Sequence, residues 1–263
     1  MTRKLKRTRD YEAVLDIRND LFIAPPRPAQ RNWLLNKLMA EFAYDLEALN
    51  EQAKNFVTGA VDVVQLDDRT HIELADEDIM EDWQIPLMQA MAEEATITHG
   101  DVLEIGFGLG VGSNFIQACG VKSHTIVEVN DSVVERFHQW RENYPDQDIR
   151  LLHGLWQDKV PEFGQYDGIF FHTYPLNEAD YIEQVLNSVT FAEHFFPVAS
   201  AHLRPGGVFS YMTNEIDSLS RAHQRLIFKH FSSFTLRIVK LNVPDDVRDT
   251  WWSDQMAVVR AVK

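Results

Sequence analysis

Gly106, Gly108 and Gly110 alternate along Asp101-Val-Leu-Glu104-Ile-Gly106-Phe-Gly108-Leu-Gly110, and an acid, Glu128, closes the next apolar run, Ile126-Val-Glu128-Val-Asn130-Asp131. Glycines in this pattern let a backbone approach a polar ligand closely and open a helix whose N–H groups face it. A carboxylate at the end of the neighbouring strand can accept both hydrogens of a ribose diol. Together they predict the binding of a nucleotide-like cofactor. Glu104, two residues before the first glycine, is placed to bond polar groups of the loop or of the ligand. A dinucleotide fingerprint of the G-x-G-x-x-G type needs its third glycine at position 111, where Val111 stands, so a nicotinamide cofactor is disfavoured.

Other chemistries find little support. Histidines 153, 172, 194 and 202 lack the spacing of a zinc site, the single Cys119 adds no ligand set, and no G-x-S-x-G elbow is present. Cys119 reads as a small buried hydrophobe in a reducing compartment. No metal is expected in the site.

The elements that position these residues follow from hydrophobic spacing. Short apolar runs at Val102–Ile105, Thr125–Val129, Ile149–Leu152, Gly168–Phe171 and Val208–Met212 predict strands. Helical stretches at Val111–Ala118, Ser132–Asn143 and Phe191–Leu203 separate them, which predicts a parallel sheet covered on both faces with its ligand at the carboxyl ends of the strands. Asp131 is the expected N-cap of the second of these helices. Two β-rich runs, Thr235–Leu241 and Met256–Val262, predict a closing hairpin that puts an antiparallel strand in the sheet. Upstream, Glu77–Glu94 reads as helical with a bend or boundary at Pro86, and Val61–Val64 with Thr70–Leu74 as a short hairpin. Asn32–Phe56 carries leucines and aromatics at helical spacing. Residues 1–67 therefore read as a helical segment, either a lid or an arm pairing two copies in a homodimer, ahead of a domain over 68–263.

The combination of E-x-G-x-G-x-G with a strand-end acid resembles the S-adenosylmethionine (SAM) half of class I methyltransferases. Leu152-His153-Gly154-Leu155-Trp156-Gln157-Asp158, Tyr166-Asp167-Gly168-Ile-Phe-Phe-His172-Thr173-Tyr174-Pro175 and Leu203-Arg204-Pro205-Gly206-Gly207-Val208-Phe209 extend the likeness. With Thr70-His71-Ile72, Ile79-Met80-Glu81-Asp82-Trp83-Gln84-Ile85-Pro86-Leu87-Met88 and Thr173-Tyr174-Pro175-Leu176, it narrows to guanidinoacetate N-methyltransferase and its arginine N-methyltransferase relatives, from about Asp68 onward. The resemblance implies an α/β, Rossmann-like fold with a seven-stranded, mostly parallel sheet and an antiparallel last strand, and SAM as cofactor. It implies that Met80, Trp83 and Met88 frame the cofactor, that Glu128 and Val129 meet its ribose, and that Gly154, Leu155 and Trp156 flank its adenine. His172 and Thr173 then lie beside the transferable methyl.

The likeness fails where the acceptor would be held. The family grips a guanidinium with two carboxylates, and those positions carry Gln84 and His172 here. An amide and an imidazole cannot supply a bidentate, charge-neutralising grip, so guanidinoacetate and arginine are not expected substrates. A cationic sulfonium would favour neutral His172, leaving it free to accept a proton from the acceptor. His172 and Tyr174 are thus the candidate catalytic residues, and Gln84, His172 and Trp252 the candidate acceptor contacts. The expected reaction is N-methylation of a neutral small molecule. C-methylation of an electron-rich heteroaromatic such as an indole and a non-catalytic SAM-binding subunit are the alternatives.

Bulk properties agree with this class. Twenty-five basic against forty acidic residues give a formal charge of -15, which disfavours nucleic acid and anionic membrane surfaces as partners. Neither a membrane span nor a signal peptide is read in the sequence, so a cytoplasmic location is expected.

Overall fold

The computed structural model describes residues 69–263 apart from 178, 179, 181, 187, 214 and 245–252. The expected helix over 32–56, the strand over 61–64 and Trp252 lie outside the described residues. Seven strands form one sheet: β1 (Asp101–Ile105), β2 (Ser123–Glu128), β3 (Ile149–His153), β4 (Tyr166–Phe171), β5 (Leu203–Thr213), β6 (Ser233–Lys240) and β7 (Gln255–Val262), in the order β3-β2-β1-β4-β5-β7-β6. The first five run parallel. β7 pairs antiparallel with both β5 and β6. The predicted seven-stranded, mostly parallel α/β architecture is what the structure shows.

Alternation along the strands sorts the core into two layers. Leu103, Ile105, Ile169, Phe171, Phe209, Tyr211 and Val259 face one side, against Phe195, Phe196, Ala199 and Ile227. Val102, Phe170 and Val258 face the other, against Leu87, Met88, Met91 and Ile116. Helices on both faces follow. In chain order they are α1 (Asp76–Ile79), α2 (Ile85–Ala95), α3 (Val111–Ala118), α4 (Asp131–Arg141), α5 (Trp156–Lys159), α6 (Phe196–His202) and α7 (Arg221–His230). Pro86 stands in the first turn of α2, where its missing N–H needs no partner, so it marks a boundary rather than a bend.

Four expectations change. Thr70–Leu74 forms no strand, because the start of α4 engages its backbone oxygens: the Asn130 amide donates to the Ile72 carbonyl at 2.9 Å and Asp131 N–H to the Thr70 carbonyl at 3.2 Å. That same Asn130, not Asp131, caps α4, accepting from Val133 N–H at 3.1 Å. Cys119 is half-buried at the end of α3 rather than buried. Finally, β5 begins at Leu203, where the turn through Gly206 pairs with the chain end: Gly206 N–H donates to Lys263 at 3.1 Å and Lys263 N–H to Gly207 at 2.9 Å.

A buried polar chain closes the far end of β5. The Tyr211 hydroxyl lies 2.8 Å from His223 Nε2, and His223 Nδ1 lies 2.7 Å from a Glu215 carboxylate oxygen. Ser220 N–H donates to the other Glu215 oxygen at 2.9 Å, and the Ser220 hydroxyl caps α7. Each member is satisfied by the next, which is the condition for keeping such groups out of water.

Candidate cofactor cleft and active site

The carboxyl ends of β1, β2, β3 and β4 are held in step by three backbone bonds. Gly106 N–H donates to Val127 at 2.9 Å, His172 N–H to Ile105 at 3.0 Å and Gly154 N–H to Glu128 at 2.8 Å. Gly106 then turns with a φ of 89° and Gly110 heads α3 with a φ of 75°, a conformation glycine adopts without strain. A Cβ at Gly106 would fall on the His172 carbonyl oxygen, so the glycine is also required by close approach.

Glu128 ties both walls of the resulting cleft together. One oxygen accepts from Phe107 N–H at 2.9 Å and Gly108 N–H at 3.5 Å, and the other accepts from Val129 N–H at 2.7 Å and Asn130 N–H at 2.9 Å. Its side chain is buried against them yet lines the cleft. The cleft is a shallow groove open to solvent along one side.

The structure brings many of the predicted residues to this space. Gly106, Glu128, Val129, Gly154, Leu155, Trp156, Thr173 and Tyr174 line it. Trp156 stands edge-on to Phe195 with centroids 4.9 Å apart, which fixes its ring. Tyr174 is exposed at the mouth, with the Arg69 guanidinium 5.1 Å from its ring centroid. Gln157, Pro175, Leu176, Asp180, Gln184, Phe191 and His194 also line the cleft. Sequence reasoning gave the last four of these no cofactor role. A signal existed for two of them in the dense run Phe191-Ala-Glu-His194-Phe195-Phe196. Gln184 sits on a π-turn, Ile182–Leu186, a geometry common at functional sites.

Other candidates stand elsewhere. Glu104 lies beneath the glycine turn, 1% exposed, taking the Ser113 hydroxyl and facing His124 Nε2 at 2.9 Å, so it anchors the start of α3. Gly108 and Gly110 shape the turn without lining the cleft. Met80, Trp83 and Met88 pack in the second core layer, Met88 fully inside it. Trp83 donates its indole N–H to the Glu81 carboxylate at 2.8 Å, and the Gln84 amide oxygen accepts the Glu81 N–H at 3.0 Å, which closes a capping box. Gln84 is thus tied to its own turn.

His172 follows β4, one residue before the cleft-lining Thr173. Burial lowers its pKa from 6.5 to about 4, so the imidazole is neutral at pH 7. His194 is also pushed down by burial, opposed by the Phe191 carbonyl and the charges of Glu193, Asp180 and Glu183. At the rim of the sheet, Asp131 is held below the usual carboxylate range, first by its hydrogen bond to His71 at 2.8 Å and further by His153 at 3.1 Å. That clip fastens the chain around residue 71 to the end of β3.

Comparison with known proteins gives the family. Protein arginine N-methyltransferase 2 of Yarrowia lipolytica is 29% identical over 157 residues, 55% of this chain and 30% of its own length. The Saccharomyces cerevisiae protein of that name is 28% identical over 146 residues, 51% of this chain and 32% of its own. The chain spans about a third of the length of these curated relatives. An N-methyltransferase of Bradyrhizobium japonicum solved with S-adenosyl-L-homocysteine aligns with a TM-score of 0.46 and 12% identity over 70% of this chain and 88% of that one. Residues 49–233 match the guanidinoacetate N-methyltransferase family. A glycine turn anchored by a strand-end acid, on a sheet of this order and with this match over most of the chain, places the protein in the guanidinoacetate N-methyltransferase family of class I, SAM-dependent methyltransferases.

Proposed function

We propose that this chain transfers the methyl group of SAM to a neutral nitrogen of a small molecule, and that it does not act on guanidinium groups. In this reading the ribose diol meets Glu128, the adenine lies toward Leu155 and Trp156, and the sulfonium lies over Gly106 toward Thr173. The single observation that carries the acceptor class is the pair Gln84 and His172. They stand where the family's guanidinium-binding carboxylates are expected, and burial keeps His172 uncharged. Losing two charge-assisted bonds forfeits about 3 to 6 kcal/mol of acceptor binding, a factor of roughly 10² or more.

The chemistry asked of the protein is modest. SAM supplies an electrophilic methyl carbon, and an in-line attack needs chiefly a held geometry, a contribution of about 7 to 11 kcal/mol. An acceptor nitrogen that carries a proton also needs a base, and neutral His172, one residue before Thr173 in the chain, is the candidate for it. Tyr174 would orient the acceptor at the mouth.

The test is formation of S-adenosylhomocysteine from SAM with guanidinoacetate, arginine, an arginine-containing peptide, simple amines, azoles and indoles, each product analysed by mass and NMR. Turnover with an amine or azole and none above blank with the guanidino compounds is expected. The names of the fungal relatives favour a second reading, an arginine side chain as acceptor. A methylated guanidino product would establish that reading and overturn the first. Methyl on an indole carbon would mean C-methylation, and cofactor binding without turnover on any acceptor would mean a binding subunit.

A further inference from the structure

The base end of the cleft holds an unassigned histidine. His194 belongs to the turn Phe191–Phe195 that leads into α6, and its ring faces the cleft beside Trp156 at 5.8 Å and Phe191 at 5.1 Å between centroids. Phe171 closes the back at 5.9 Å. Its Nδ1 is buried with no hydrogen bond. Solvent does not reach that atom, which lies on the inner side of the ring with the Phe191 carbonyl nearby, so Nε2 is the nitrogen left to meet a ligand in the cleft.

Direction along the cleft says what that ligand is. This step rests on the cofactor placement proposed above. With the ribose at Glu128 and the sulfonium toward Thr173, the base extends the opposite way, past Gly154 and Leu155, against the wall formed by Trp156, Phe191 and His194. A purine offers flat faces to the two aromatic rings and a hydrogen-bonding edge to an imidazole.

We propose that His194 hydrogen-bonds the edge of the cofactor's adenine, which makes it the residue that selects the base. A neutral imidazole carries one donor and one acceptor, and both kinds of group occur on the adenine edge. Burial supports the neutral form against the facing Asp180, Glu183 and Glu193 carboxylates and the Phe191 carbonyl. The residue touches the cofactor far from the methyl group, so its effect falls on binding and not on transfer.

The experiment is calorimetric titration of the 263-residue chain with S-adenosylhomocysteine and with its 6-desamino, 1-deaza and 3-deaza analogues, on wild type, His194→Phe and Glu128→Gln. His194→Phe keeps a ring and removes the nitrogens. It should weaken S-adenosylhomocysteine binding about 10-fold or more, yet bind the analogue lacking the contacted atom as wild type does. A His194→Phe variant within twofold of wild type, or one that weakens every analogue equally, overturns the proposal. Wild type that binds all the analogues as tightly as S-adenosylhomocysteine overturns it with no variant at all. Glu128→Gln separates the two layers of inference. If Glu128→Gln leaves affinity unchanged, the cofactor placement fails and His194 with it; if affinity falls there but not at His194→Phe, only the base-edge contact fails.

Discussion

His172 makes a prediction that needs no substrate. Its folded pKa, about 4, lies below the value of about 6.5 expected in an unfolded chain. Above pH 6.5 the ring is neutral in both states and contributes nothing to pH dependence. As pH falls from 6.5 toward 4 the unfolded chain gains the proton first, so stability drops, by about 3 kcal/mol once pH reaches the folded pKa. Urea unfolding at pH 7, 5.5 and 4.5 should show this slope, and His172→Gln should remove most of it; an unchanged slope would mean that the ring is not held neutral by burial. At this scale the sequence was legible where chemistry depends on backbone. Glycines and a strand-end acid announce themselves by spacing, and Glu128 lines the cleft. Side chains gathered across the sheet do not. His194 and Asp180 reach the cleft only because the segment after β4 folds back over it, and nothing in local spacing records that return.

The turn from Gly106 to Gly110 is the element on which the cleft depends. Gly106→Ala would place a methyl against the His172 carbonyl and force a positive φ on a residue that resists it. We expect the variant to lose cofactor binding and to melt several degrees lower, read by differential scanning calorimetry with and without S-adenosylhomocysteine. A variant that still gains its full ligand-induced rise in Tm would show that the turn tolerates displacement. The strands were readable because buried parallel strands are short apolar runs between turns. The segment Thr70–Leu74 was misread for the same reason: its Ile72 and Leu74 resemble a strand edge, yet Asn130 and Asp131 claim the Ile72 and Thr70 carbonyls and leave no ladder to join. α7 escaped notice, although Ser220 marks its start.

Across the whole molecule, the sheet's far edge depends on one strand. β7 lies between β5 and β6, with Val258 and Val259 facing opposite core layers, so β6 has no other partner in the sheet among the described residues. Truncation after Ser253 should unpair β6 and uncover Phe209, Tyr211 and Phe231, giving a chain that binds a hydrophobic dye and is cut rapidly by protease. A truncated chain with a native near-ultraviolet spectrum would refute this. The arrangement was foreseen from two β-rich runs near the end of the sequence, but the order of strands was not. A hairpin that merely extends the sheet and one that inserts its second strand beside β5 have the same hydrophobic pattern. The register of contacts with β5 decides between them.

The carboxylate of Glu128 already holds three amides at 2.7 to 2.9 Å, drawn from both turns that flank the cleft, and only its 3.5 Å contact with Gly108 is loose enough to give way to a diol. Those turns are therefore ordered before any ligand arrives, and little chain entropy remains to be lost when one does. Such a cleft fills by encounter rather than by coupled folding. Its association kinetics should then show a single phase that rises linearly with ligand concentration, with no plateau from a slow rearrangement of the two turns.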